Sequence, residues 1–236
     1  MLVLAIDTTS NTAAAAVVKD GIVLGERILN FKKTHSQKIM PMISELLDEL
    51  ELKAADIDVF AAANGPGSFT GLRIGVATIK ALAHAVDKPV VGISTLAGLA
   101  YNLPYCEHII VPIMDARRNR VYTASYIWDE DGFKELSPAE VISIEECAAS
   151  CGNFLDTVFV GDGVPVYKEY LKEQLGENAH FAPGSALMQR AASIAILAEE
   201  KAKKGETMHY TQLVPFYINK SQAEQEYEAK HKNDEG

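Results

Sequence analysis

The chain opens on an apolar run, Leu2 to Ile6, closed by Asp7. A short continuous apolar run of this kind reads as a strand buried on both faces. The stretch Asp7-Thr8-Thr9-Ser10-Asn11 is small and polar, which suits a tight turn. Residues 12–18 supply a second strand, Asp20-Gly21 a hairpin turn and residues 22–29 a third strand, so the chain begins as an antiparallel meander. A helix is predicted over residues 36–50. Ile39, Ile43, Leu46, Leu47 and Leu50 repeat at helical spacing, Met40 and Met42 widen the stripe, and Glu45, Asp48 and Glu49 lie opposite. Ser36 offers an N-cap, but Pro41 then falls inside the helix; a start nearer Pro41 is the alternative. Residues 57–63 are predicted as a fourth strand, broken by Gly65-Pro66-Gly67. Residues 72–85 then form a helix that is apolar almost all round, with Arg73, Lys80 and His84 as its polar stripe and Gly75, Ala77, Ala81 and Ala85 making it small elsewhere. A helix apolar on more than one side is buried on more than one side, so a second helix, from this chain or another, is expected to cover it.

Residues 89–93 add a strand and residues 94–102 a short helix. The pattern then restarts. Residues 109–114 form a strand ending in Asp115, residues 120–128 a second, Asp129 to Gly132 a turn, and Phe133 opens a third. In both Ala5-Ile6-Asp7 and Ile113-Met114-Asp115 a strand ends in aspartate before a polar turn, a weak internal duplication. The second copy reads less regularly: loop and short helix over 138–151, strand at 157–161, helix at 165–175, and an amphipathic helix at 187–204. The charged end, residues 225–236 above all, is expected to fray. Two tandem β-β-β-α-β-α units describe an α/β protein of the actin-like ATPase (ribonuclease H-like) fold. The expected halves are residues 1–105 and 106–236, with the helix from about residue 187 placed to pack back on the first half.

Composition narrows the function classes. With 236 residues, 48% hydrophobic and 23% charged, the chain is globular and large enough to fold without disulfide or metal staples. A net charge of −10 repels phosphate backbones on average, so any RNA contact must come from a local patch. Three cysteines, Cys106, Cys147 and Cys151, argue for a reducing compartment and against a disulfide framework. The opening apolar run is too short for a secretory leader and no stretch approaches a membrane span, so a cytoplasmic protein without membrane contact is expected.

Four segments could carry chemistry. The strand-end Asp7 with Thr8, Thr9 and Ser10 could hold a metal–phosphate group, the hydroxyls and backbone amides donating to phosphate oxygens; an ordinary Asx or Ser/Thr turn is the plainer alternative. Gly65, Pro66 and Gly67 form either a sharp strand-to-helix corner or an anion site at the helix start, and no Walker lysine follows. None of the six histidines pairs with another at helical spacing, so no helix-borne metal pair is present and no metal is expected. Arg117, Arg118 and Arg120 could contact phosphate or RNA, or neutralise the protein's own carboxylates. No Gly-x-Ser-x-Gly nucleophile motif occurs, and no catalytic residue is assigned.

The segments Ile6–Ser10, Thr34–Ile43, Gly65–Ala83, Met114–Tyr122 and Pro215–Glu224 resemble the TsaB (YeaZ) family of tRNA threonylcarbamoyladenosine biosynthesis across essentially the whole chain. The resemblance implies the actin-like fold and an accessory, non-catalytic subunit. Such a subunit binds and activates its paralogue TsaD, which transfers threonylcarbamoyl from an adenylate to adenosine 37 of tRNAs reading codons that begin with adenine. The ATPase TsaE joins the pair, and the subunit alone forms a homodimer. Where TsaD carries its His-x-x-x-His metal pair, this sequence has Thr95 and Leu99; threonine is a poor ligand and leucine none. Weak ATP or ADP binding at the Asp7 turn stays open. Ile39, Ile43, Leu46, Leu50, Leu72, Val76, Ile79 and Ala83 are the expected partner interface, two helices pairing with two on the partner; intramolecular core is the alternative for each. An actin-like nucleotide hydrolase or kinase using the Asp7 turn is the second reading. A glycopeptidase is a remote third, since the sequence supplies neither a metal site nor a nucleophile.

Overall fold

The computed structural model describes residues 1–30, 35–152 and 156–218. Two five-stranded sheets form with the same topology. In the first, β1 (Leu2–Asp7), β2 (Thr12–Lys19) and β3 (Ile22–Asn30) make the antiparallel meander, and β4 (Val59–Gly65) and β5 (Val90–Ser94) extend it in parallel, in the order β3-β2-β1-β4-β5. In the second, β6 (Ile109–Asp115), β7 (Arg120–Asp129) and β8 (Gly132–Ser143) repeat the meander, with β9 (Thr157–Val160) and β10 (Ala179–Phe181) parallel to β6, in the order β10-β9-β6-β7-β8. The duplication is thus complete. Residues 138–143, expected as loop, finish β8, and β10 had no counterpart in the sequence reading.

Six helices cover the sheets: α1 (His35–Glu49), α2 (Phe69–Val86), α3 (Thr95–Ala100), α4 (Ile144–Cys151), α5 (Val164–Leu175) and α6 (Ala191–Lys203). Pro41 lies inside α1, so the helix does not wait for it to begin. Leu2, Leu4 and Ile6 face α1 and α2, while Val3 and Ala5 face α6. Burial on both faces is why β1 reads as unbroken hydrophobicity. The last helix of each unit crosses over: α3 packs Leu96 and Leu99 against Ile110 and Met114 of the second sheet, and α6 packs Ile194, Ala195 and Ala198 on the first. The two meet at Gly98, where a Cβ would stand 2.4 Å from Ile194 Cδ1.

The packing corrects the interface expected at α1 and α2. Ile39, Ile43, Leu46, Val76, Ile79 and Ala83 belong to the core between these helices and the first sheet, Leu72 is equally buried, and Leu50 packs half-buried on the same core. The stripe of α1 is spent on the sheet because β1, β2 and β4 present a wide apolar face. A C-terminal strap covers part of the other side of α2: Lys80 donates to the carbonyls of Thr211 and Leu213 at 3.2 Å, Leu213 is buried, and His84 packs on Tyr210, while Ala77 and Ala81 stay exposed. The strap also bridges Met208 to Val90 and so covers the β5 edge. Among the described residues no helix is long and apolar enough to cross a membrane. Residues 225–236, expected to fray, lie outside the described residues.

Candidate functional site

A cleft of about 760 Å³ opens between the two units, bordered by Thr9 and Ser10, by Pro66 and Gly67, and by Arg117, Arg118 and Arg120. Its first wall is the turn after β1. Asp7, Thr8 and Thr9 are buried, and the Asp7 carboxylate accepts hydrogen bonds from the Thr9 backbone N–H at 2.8 Å and the Thr9 hydroxyl at 2.7 Å. Thr8 donates its hydroxyl to the Gly71 carbonyl at 2.8 Å, and Ser10 donates to Gln189 at 2.7 Å. All three hydroxyls are therefore committed to protein acceptors. The turn is an Asx turn clamped by its neighbours, and as built it offers a phosphate little.

The Gly-Pro-Gly corner explains the clamp. Gly65 and Gly67 have φ of +131° and +153°, which side chains rarely adopt. A Cβ on Gly67 would lie 2.4 Å from the Thr9 carbonyl oxygen, and one on Gly71 only 1.9 Å from that of Thr8. Ser68 caps α2 by accepting from the Gly71 N–H, and its own N–H donates to the Thr9 carbonyl at 2.7 Å. The glycines thus serve close packing of α2 on the turn.

Across the cleft, Asp115 ends β6 and Arg117, Arg118 and Asn119 follow with φ of 63°, 53° and 57°. Three successive non-glycine residues in the left-handed region are uncommon, at roughly 1–2 kcal/mol each. Arg120 donates to the Val141 carbonyl at 3.0 Å. Arg117 and Arg118 are exposed, and among the described residues no carboxylate pairs with either. The neutralising role considered for them falls instead to Arg27, on Glu45 and Glu49, and to Arg190, on Glu26.

One acid escaped the sequence reading. Asp162, in the turn after β9, accepts from the Asp115 N–H at 3.3 Å, while the Asp115 carboxylate accepts from the Arg117 N–H and the Tyr167 hydroxyl. Burial first, then the charges of Asp115 and Asp7, push the Asp162 carboxyl up to about 6. Its signal lay in the duplication: Gly161-Asp162-Gly163 comes at the end of β9 as Gly65-Pro66-Gly67 comes at the end of β4, and a Cβ on Gly161 would stand 2.4 Å from the Ile113 carbonyl oxygen. Also missed was the end of the strap, Phe216 to Ile218, which lines the cleft beside α2. The Phe216 N–H donates to the Asn64 carbonyl at 2.6 Å, Tyr217 stacks on Phe69 at 4.6 Å, and Arg73 lies over the Phe69 ring, 4.0 Å from its centroid.

Comparison with known proteins places this arrangement. The family model described as TsaD, tRNA N6-adenosine threonylcarbamoyltransferase, matches residues 23–227. The chain is 31% identical over 225 residues to the tRNA threonylcarbamoyladenosine biosynthesis protein TsaB of Bacillus subtilis, covering 95% of this chain and 96% of that one. It is 29% identical to TsaB of Escherichia coli, covering 94% and 96%. The solved structure of YeaZ from Pseudomonas aeruginosa superposes with a TM-score of 0.75 at 27% identity, over 92% of this chain and 99% of that one. The duplicated sheets and crossed-over helices are those of the actin-like ATPase fold, and the chain belongs to the TsaB family of tRNA threonylcarbamoyladenosine biosynthesis proteins, within the wider TsaD family.

Proposed function

We propose that this chain is a non-catalytic partner of a TsaD-type transferase, joined by a TsaE-type ATPase, and that it self-associates when alone. The observation that carries the reading is the identity and burial of two residues in α3. Thr95 and Leu99 stand where the resemblance puts metal-binding histidines, and both are buried, Leu99 against Ile110 and Met114. A leucine in that place is core and cannot ligate. The committed hydroxyls of the Asp7 turn count against the nucleotide-hydrolase reading.

With the core-facing stripe excluded, the pairing surface falls on the outward side of α1 and α2, where Met40, Arg73, Ala77 and Ala81 are exposed. Small side chains on α2 let a partner helix approach closely. Ala77→Arg and Ala81→Glu should each weaken copurification with the transferase at least tenfold, with circular dichroism unchanged. If both variants still pair at full strength, this surface is not the contact.

A further inference from the structure

The cleft has two unlike parts. Its inner part is acidic and self-satisfied: the charges of Asp115 and Asp7 add to burial in raising the proton affinity of Asp162, and the hydroxyls of Thr8, Thr9 and Ser10 are spent on protein acceptors. A phosphate pushed inward meets that negative charge. The mouth is the opposite. One lip carries Arg117 and Arg118, exposed and without a carboxylate among the described residues, in a protein whose net charge is −10.

The other lip is aromatic. Tyr217 stacks on Phe69, Arg73 lies over the Phe69 ring, and the Arg73 Nε donates to the Tyr217 hydroxyl at 3.2 Å, so the Tyr217 ring is fixed from one side. Tyr217 nevertheless keeps 38% of its surface exposed and Phe216 keeps 50%. Rigid exposed rings opposite unpaired arginines are the parts from which proteins build sites for unpaired nucleic-acid strands, the rings stacking bases and the cations following the backbone.

We propose that the mouth of this cleft binds an unpaired RNA strand, its phosphates on Arg117 and Arg118 and a splayed base on Tyr217. The proposal rests on the tRNA-modification function of the family and goes beyond pairing with the transferase, because it gives this chain its own contact with the loop being modified. A mononucleotide seated deep in the cleft, as a nucleotide hydrolase would need, is disfavoured by the acidic inner part. A duplex is disfavoured because its bases are not free to stack.

The test is fluorescence anisotropy of the full-length chain with a labelled tRNA anticodon stem-loop, and with the same stem closed into a blunt duplex. The stem-loop should bind at least tenfold more tightly than the duplex. Arg117→Gln with Arg118→Gln should weaken stem-loop binding at least tenfold and lower the slope of log K against log salt by about 1.4, two single-strand phosphate contacts. Lys201→Ala with Lys204→Ala, which removes the same charge from the end of α6, should change neither. Tyr217→Phe keeps the ring and should bind as the parent does; Tyr217→Ser should lose about tenfold. The idea is overturned if the duplex binds as well as the stem-loop, if the arginine variant binds normally, or if micromolar ATP or tripolyphosphate displaces the RNA. Copurification of the arginine variant with the transferase is measured alongside. Retained pairing with lost RNA binding supports the strand site; lost pairing assigns the arginines to the protein contact and sinks it.

Discussion

Gly71→Ala tests whether packing of α2 on the first turn holds the cleft together. A Cβ there would stand 1.9 Å from the Thr8 carbonyl oxygen, against the 3.0 Å below which such contacts essentially do not occur. Relief needs a shift of at least about 1 Å between two buried backbone segments, in an interior packed as densely as an organic crystal. Overpacking of that kind costs about 1–3 kcal/mol. The shift also breaks the bond from the Thr8 hydroxyl to the Gly71 carbonyl, about 1 kcal/mol net and more because both groups are buried. Alanine's better helix propensity offsets about 1 kcal/mol. The sum is a loss of about 2 kcal/mol, or roughly 4–8 °C in Tm for a chain of this length. Urea and thermal unfolding followed by circular dichroism would measure it. Gly184→Ala serves as control, since nothing lies within 4 Å of its Cβ, and it should stay within about 0.5 kcal/mol of the parent. A Gly71→Ala protein as stable as the Gly184→Ala control would refute the packing argument.

Two further substitutions probe the acidic cleft and the core. The Asp162 carboxyl is raised from 3.8 to about 6, so the folded state holds extra proton between those values. Its stability therefore falls as pH rises from about 4 to 6 and stays lower above, by about 3 kcal/mol at most and nearer 1–2 after solvent screening. Asp162→Asn should remove that slope and gain about 1 kcal/mol at pH 7 in urea titrations; an unchanged pH profile contradicts the assignment. Leu46→Arg puts a charge into the core beside Gly25 and should cost more than about 4 kcal/mol or abolish folding, whereas Met40→Arg on the same helix should stay within about 0.5 kcal/mol. Equal effects in the unfolding assay would mean that the two faces of α1 are wrongly assigned.

The strands and most helices were legible because their apolar periods are strong and their breaks are chemically plain. Leu2–Ile6 and the Asp20-Gly21 turn, with φ of 50° and 78°, are examples. What failed was orientation. Periodicity shows that α1 and α2 have wide apolar faces, but not whether a sheet or a partner covers them; the width of the first sheet decided for the sheet. It could not show that residues 208–217, which carry no regular period, would cover part of the second side of α2. The α3–α6 exchange was half visible, since α6 was expected to pack back, whereas α3 was too short to reveal its target. In the cleft, the residue types were visible but their commitments were not. The donors of Thr8, Thr9 and Ser10 are consumed by Gly71, Asp7 and Gln189, and two of these are more than sixty positions away in sequence. Tyr217 and Arg117 meet at one cleft mouth only through the fold.

The partner role is tested most directly by reconstituting tRNA threonylcarbamoylation from a TsaD-type transferase, a TsaE-type ATPase, threonylcarbamoyl adenylate and tRNA, with and without this chain. Asp7→Asn is the decisive variant, because its amide oxygen can still accept from Thr9 while the charge is gone. The partner role predicts product only when this chain and the transferase are both present, no product from this chain alone, and at least half of the parent rate with Asp7→Asn. Turnover by this chain without the transferase, or a loss of a hundredfold or more with a folded Asp7→Asn protein, would contradict it.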